Sequence, residues 1–173
     1  DRPERGNAIT LEMPRELAEC VERANLDPEV HVIALAGNGT GFCGGYDLTH
    51  FGQGEVDHPC QQERQPWEPM EDYAFMKRKT EDFMSLWRSN KPTIAKVRGH
   101  AVAGGSDIAL CCDLVVMAED AKIGYPPARV WGVPTPAMWV YRLGAEKAKR
   151  MLLTGDLVTG REAAAMGLIL EAV

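Results

Sequence analysis

The sequence predicts one α/β domain with a largely parallel sheet. Short apolar runs of strand length alternate with stretches of helical periodicity along the chain. Two of those runs, 30–37 and 93–97, are followed by glycine clusters at 41–47 and 101–107. The chain holds 173 residues, 45% of them hydrophobic and 25% charged, which suits a single core of good size.

The elements follow in order. Residues 10–25 place Leu11, Leu17, Ala18, Val21 and Ala24 at helical spacing, with Thr10 as N-cap and Pro14 near the first turn, where proline does least harm. "VHVIALAG" (30–37) reads as a buried strand. Residues 51–70 are polar, carry prolines and show no period, so they read as a loop or a partly disordered stretch. A helix follows with Tyr73, Met76, Thr80, Phe83 and Trp87 on one face and Met84 beside it. "TIAKV" (93–97) and "DLVVMA" (113–118) are strands; 145–155 is a helix ended by Gly155. Thr159 and Glu162 have capping-box spacing and open a short helix that Gly167 closes, and 168–173 reads as a last strand.

Several functions are made improbable by composition. A net charge of −6 argues against a nucleic-acid footprint. No apolar run approaches the roughly 18–20 residues of a membrane span, and no signal-peptide pattern opens the chain. The five cysteines, Cys20, Cys43, Cys60, Cys111 and Cys112, form no C-x-x-C pair and point to a reduced, cytoplasmic setting. His31, His50, His58 and His100 match no ligand spacing, so no metal is expected.

Chemistry concentrates in the two glycine clusters, "GFCGGYD" (41–47) and "AVAGGSD" (101–107). Glycine lets a ligand approach the main chain, and N–H groups at a helix start bind anionic oxygen. If a helix begins near Gly104, Asp107 lies one turn further on the same face. A backbone donor could then hold a carbonyl oxygen while a carboxylate stands beside its neighbouring carbons, which is what moving a proton through an enolate requires. The plainer reading is close helix–strand packing, with Asp107 as a first-turn partner of the helix dipole.

Four segments together resemble the crotonase superfamily, the enoyl-CoA hydratase/isomerase family. They are "RPERGNAIT", "VIALAGNGTGFCGGYDL", "KPTIAKVRGHAVAGGSDIALCCDLVVMAEDAKIG" and "RLGAEKAKRMLLTGDLVTGREAAAMGLILEAV". The resemblance spans nearly the whole chain except 51–72. It implies a spiral of ββα repeats, trimers or dimers of trimers, and a coenzyme A thioester as substrate with no permanently bound cofactor. It places the two backbone oxyanion donors at Gly44 and Gly104 and the acid/base at Asp107. It places substrate contacts at Arg5, Ala8, Gly45, Tyr46, Asp47, Leu48, Tyr125 and Pro127. It also implies that residues 1–173 are a single core truncated at both ends, with a C-terminal helical tail absent. Arg2 and Arg5 fall near the expected nucleotide; Lys77, Arg78 and Lys79 read as solvated surface.

One departure stands out. Hydratases of this family carry glutamate three residues after the oxyanion glycine and again after a proline in a G-x-P-E segment. This chain has Asp107 at the first position and Pro127, in "GYPPARVWGVP", at the second. Proline has no proton to give or take. One carboxylate still suffices to shift a double bond, whereas hydration calls for two groups. His50, Asp57, His58, Glu63, Glu68, Glu71 and Asp72 are alternative acids of the 51–72 region, each more at home in solvent. His100 and Asp113 read as structural, and Cys111 and Cys112 as buried packing. The leading expectation is an enzyme acting on enoyl-CoA in fatty acid metabolism. A non-catalytic acyl-CoA-binding protein is the alternative, and a serine hydrolase using Ser106 is a weaker third.

Overall fold

A computed structural model describes residues 1–52, 68–130, 132 and 135–173. The elements are α1 (Met13–Leu26), β1 (Ile33–Ala36), α2 (Leu48–Gly52), α3 (Pro69–Trp87), β2 (Thr93–Val97), β3 (His100–Val102), α4 (Gly104–Cys111), β4 (Leu114–Met117), β5 (Lys122–Gly124), α5 (Pro136–Thr154), β6 (Leu157–Thr159), α6 (Gly160–Met166) and β7 (Glu171–Ala172). Short 3-10 turns occupy Pro3–Arg5 and Pro126–Arg129.

Strands β1, β2, β4 and β7 form a parallel sheet in the order β1-β2-β4-β7. A second sheet joins β3 and β5 in parallel and β5 and β6 antiparallel. The chain thus makes two successive ββα units, β2-β3-α4 and β4-β5-α5. In each, the first strand lies in the larger sheet and the second in the smaller. The step from β2 to β3 requires a glycine: Gly99 has φ +62°, and a Cβ there would stand 1.9 Å from the Thr40 carbonyl oxygen.

One core joins the layers. Ala95, Val97, Val115 and Met117 from the parallel sheet pack with Ala109 and Leu110 of α4, Trp139 and Met151 of α5 and Leu168 after α6. Leu86 of α3 is fully buried, a burial worth about 1.5–3 kcal/mol. Asp113 closes the end of α4 onto β2: its carboxylate accepts from Thr93 N–H at 2.8 Å and Thr93 Oγ1 at 3.0 Å. Its own N–H donates to Thr93 Oγ1 at 2.8 Å. Asp113 is therefore structural.

Local signals resolve as follows. Thr10 Oγ1 accepts from Met13 N–H at 3.3 Å, but the N-cap of α1 is Glu12 and not Thr10, and Pro14 sits in the first turn. The Thr159–Glu162 capping box forms in both directions, at 3.1 and 2.7 Å, and Gly167 ends α6 with φ 84°. The expected helix 145–155 begins earlier, at Pro136, and Gly144 (φ 72°, ψ 167°) kinks it. The last expected strand narrows to Glu171–Ala172, because Leu168 and Ile169 turn into the core. In α3, Phe83 and Leu86 are buried, whereas Tyr73 and Met76 of the expected face are exposed. Of the candidate acids at 51–72, Asp57, His58 and Glu63 lie outside the described residues.

Candidate active site

The two glycine clusters meet because three stretches of main chain are laced together. Cys43 N–H donates to the His100 carbonyl at 3.1 Å, and Val102 N–H donates to the Cys43 carbonyl at 3.0 Å. On the other side, Ile9 N–H donates to Gly45 O at 2.8 Å and Asp47 N–H to Ile9 O at 3.0 Å. Residues 43–47 therefore run between the entry segment and β3. Side chains would block that approach. A Cβ at Gly105 would stand 2.3 Å from Cys43 O, and one at Gly45 (φ +94°) would stand 2.8 Å from Ala103 Cβ and 3.5 Å from Gly104 N. Asn7, buried with φ 53°, fixes the entry turn: its Nδ2 donates to the carbonyls of Asn38 and Gly41 at 2.8 and 3.0 Å.

The turn into α4 is sharp. Ala103 has φ 53° and ψ −129°, a conformation that costs a non-glycine residue about 1–3 kcal/mol. Its N–H donates to Gly124 O at 3.0 Å, and its carbonyl accepts from Ser106 N–H at 2.9 Å. Gly104 then opens α4, which is buried throughout. Asp107 follows one turn later, so the first turn of α4 presents both a backbone donor and a carboxylate.

Burial pushes the Asp107 carboxyl up to about 7, against a hydrogen bond from Thr135 that favours the ionised form. Thr135 Oγ1 donates to Asp107 Oδ2 at 2.9 Å. The fully buried Trp139 indole N–H also faces this carboxylate, without reaching it in normal hydrogen-bond geometry. Tyr125 is close enough to feel Asp107: burial and that negative charge push its phenol up to about 12. A pocket of about 30 Å³ adjoins Asp107, with Phe83, Met84, Thr135 and Met138 among its lining residues. A larger cavity of about 70 Å³, walled by Met13, Leu17, Leu35, Phe42 and Ile108, touches neither Asp107 nor Gly104.

The other expected site residues are placed as follows. The N–H of Gly44, the expected first-cluster donor, donates to the Gly6 carbonyl at 2.9 Å. The next candidate is Tyr46. In its parallel bridge with Ile9, both bonds are made by the neighbours Gly45 and Asp47, so the N–H of Tyr46 points away from Ile9. Its ring covers Gly104, where a Cβ would stand 3.2 Å from Tyr46 Cε2, and meets Phe51 edge-on at 5.1 Å. The Asp47 carboxylate is engaged within the fold. It accepts from Thr49 N–H at 3.0 Å at the start of α2 and pairs with Arg2 at 2.7 Å, and Arg2 holds it well below its ordinary range. Arg2 also donates to Ala8 O at 3.2 Å, so Arg2 and Ala8 buttress the loop. Arg5 and Leu48 are exposed at the rim.

Pro127 lies half-buried in the 3-10 turn, and its carbonyl accepts from Val130 and Gly132. Ser106 is fully buried, and its hydroxyl donates to Ala103 O at 2.6 Å, which removes it as a nucleophile. His100 packs its ring where a Cβ on Gly41 would lie, 2.2 Å from Cε1. Burial pushes the Cys111 and Cys112 thiols up to about 12, which leaves them inert. Lys79 bonds the Leu11 carbonyl, and Lys77 pairs with Glu81 at 3.8 Å on the surface. Sequence reasoning missed Thr135 and Trp139. The signal was Thr135–Pro136, an N-cap residue followed by proline at the first helical position.

The chain is similar to known proteins over its whole length. The enoyl-CoA hydratase/isomerase family model matches residues 1–173, and the chain belongs to that family. A solved enoyl-CoA hydratase from Mycobacterium smegmatis is 51% identical, with a TM-score of 0.87 over 99% of this chain and 60% of that one. Enoyl-CoA hydratase EchA19 of Mycobacterium tuberculosis is 31% identical over 173 residues, covering 98% of this chain and 61% of its own length. A Thermus thermophilus relative is 36% identical over 169 residues, which are 96% of this chain and 63% of its own. The fold is thus the crotonase fold, and the chain spans about three fifths of the length of these relatives.

Proposed function

We propose that the protein processes an acyl-CoA thioester through an enolate, with Asp107 as its single carboxylate acid/base. The observation that carries this is the juxtaposition at the start of α4. A helix N-terminus at Gly104 lies one turn from a buried carboxyl pushed up to about 7, where a group can both take and return a proton near neutrality. The N–H groups of Gly104 and Tyr46 would hold the thioester oxygen. With a 3-enoyl thioester, ionised Asp107 removes a proton from C2, and the C–H electron pair moves into the enolate. The protonated acid then delivers that proton to C4 as the double bond settles between C2 and C3. Hydration of a 2-enoyl thioester is the slower reaction on this reading, because Pro127 supplies no second acid. The apolar wall of Phe83, Met84 and Met138 suits the acyl carbons, and exposed Arg5 suits the phosphates of coenzyme A.

The same reading proposes coenzyme A as part of the substrate and no resident cofactor. It also proposes a cytoplasmic enzyme that assembles as a trimer or a dimer of trimers. Among the described residues, no helix is long and apolar enough to cross a membrane. A panel of 2-enoyl- and 3-enoyl-CoA thioesters with product analysis tests the function. Turnover is expected, with isomerisation exceeding hydration. Binding measured by calorimetry without turnover of any thioester would instead establish the acyl-CoA-binding alternative that Pro127 favours.

A further inference from the structure

We propose that Thr135 is the positioning residue of the Asp107 carboxylate, fixing its orientation and holding its ionised form from the first turn of α5. The inference rests on the acid/base role of Asp107 given above and assigns the group that tunes it. Three observations carry it. Thr135 Oγ1 donates to Asp107 Oδ2 at 2.9 Å across the α4–α5 interface. Thr135 is also the N-cap residue of α5, but its side chain makes no cap bond to that helix. Its hydroxyl is directed to Asp107 instead of to the N–H groups that an N-cap threonine usually serves. Finally, Trp139, four residues on and on the same helix face, brings toward the same carboxylate a fully buried indole N–H with no hydrogen-bond partner among the described residues. An unpaired buried donor is costly. Ionised Asp107 is the acceptor that would satisfy it.

The surroundings leave the role to α5. From α4 itself, Cys111 is the titratable neighbour of Asp107. From the end of β5, Tyr125 senses its charge, and both groups ionise only at about 12. α3 contributes the uncharged Thr80, Phe83 and Met84 to the adjoining pocket. On α5, Arg142 is turned to the far end of α4, where it donates to the Leu110 carbonyl at 3.1 and 3.0 Å and to that of Cys112. Among these groups no cation is bonded to Asp107. Its ionised form depends on the Thr135 hydroxyl, with Trp139 in support.

The test is the titration of Asp107 itself, read without substrate. Carboxyl ¹³C shifts are followed against pH in the wild-type protein, with Asp107→Asn to assign the signal. Thr135→Val keeps the side-chain shape and removes the donor. Its loss should raise the Asp107 midpoint by about one to two pH units, since a hydrogen bond to a charged group is worth that much. Thr135→Ser should restore the wild-type midpoint, and the acid limb of the kcat/KM profile should move with it. Should Thr135→Val fail to fold, Thr135→Ala is read the same way, and Trp139→Phe should give a smaller upward shift. A midpoint unchanged within about 0.3 pH unit in a folded Thr135→Val or Thr135→Ala protein overturns the proposal. A shifted midpoint in a protein that turns over no thioester would leave the Thr135–Asp107 coupling standing and refute the catalytic reading alone.

Discussion

Replacing Asp107 with asparagine should make the protein more stable, and more so as pH rises. Unfolded, this carboxyl ionises near its ordinary value of 3.8; folded, burial pushes it up to about 7. Below the lower value it is neutral in both states and costs nothing. Between the two, the unfolded chain releases the proton and the folded chain keeps it, so stability falls with rising pH until the folded group ionises too. Each pH unit of difference corresponds to about 1.4 kcal/mol, giving about 4 kcal/mol in total. About 2–3 kcal/mol of this accrues between about pH 5 and about pH 8. Asparagine stays neutral throughout and can still accept the Thr135 hydroxyl. Urea unfolding of both proteins across that pH range gives the comparison, provided the slope m is unchanged. The advantage of Asp107→Asn over wild type should grow by about 2–3 kcal/mol toward high pH. Parallel stability curves would refute the reasoning, because they would mean that Asp107 ionises at its ordinary value when folded.

Two glycines should separate activity from folding. At Gly104 a new Cβ would meet the Ile9 side-chain tip at 2.8 Å and the Tyr46 ring at 3.2 Å. Gly104→Val retains the backbone N–H but displaces it, and should therefore keep its circular dichroism and lose about 10²–10³-fold in turnover, as much as the loss of an oxyanion donor costs. Gly105→Ala would instead drive a Cβ against the Cys43 carbonyl at 2.3 Å, and should cost about 2 kcal/mol or more of stability in urea unfolding. Pro127→Glu should raise hydration of a short 2-enoyl-CoA about 10-fold, below the roughly 10²–10⁴-fold of a well-placed acid. A folded variant with no gain would show that the missing acid is not at 127.

Much of the fold was legible because its signals are local. The Thr159–Glu162 box, Pro14 in the first turn and the buried runs at β1, β2 and β4 each declare themselves within a few residues. Strands β3, β5 and β6 did not, since three residues carry no period to read. At the site, sequence placed Gly104 and Asp107 on one helical turn, which the structure keeps. Which N–H groups of "GGYD" are spent within the fold was not legible. That depends on the register of Ile9 against Tyr46 and on the Gly6 carbonyl that occupies Gly44. Asp47 looked like a ligand residue, yet its partner Arg2 lies 45 positions away. Nothing in the sequence linked Thr135 and Trp139 to Asp107, a link that exists only because α5 lies beside α4.

The central claim is that Asp107 moves a proton at the α carbon of a thioester held at Gly104. The most direct measurement is exchange of the α protons of a saturated acyl-CoA in deuterium oxide, followed by mass spectrometry. It needs neither hydration nor a double-bond shift. The account predicts deuterium uptake at C2 catalysed by the full-length protein, slowed about 10²–10⁴-fold in Asp107→Asn with acyl-CoA affinity little changed. A bound thioester that exchanges no faster than in buffer, or equally fast with Asp107→Asn, would contradict it.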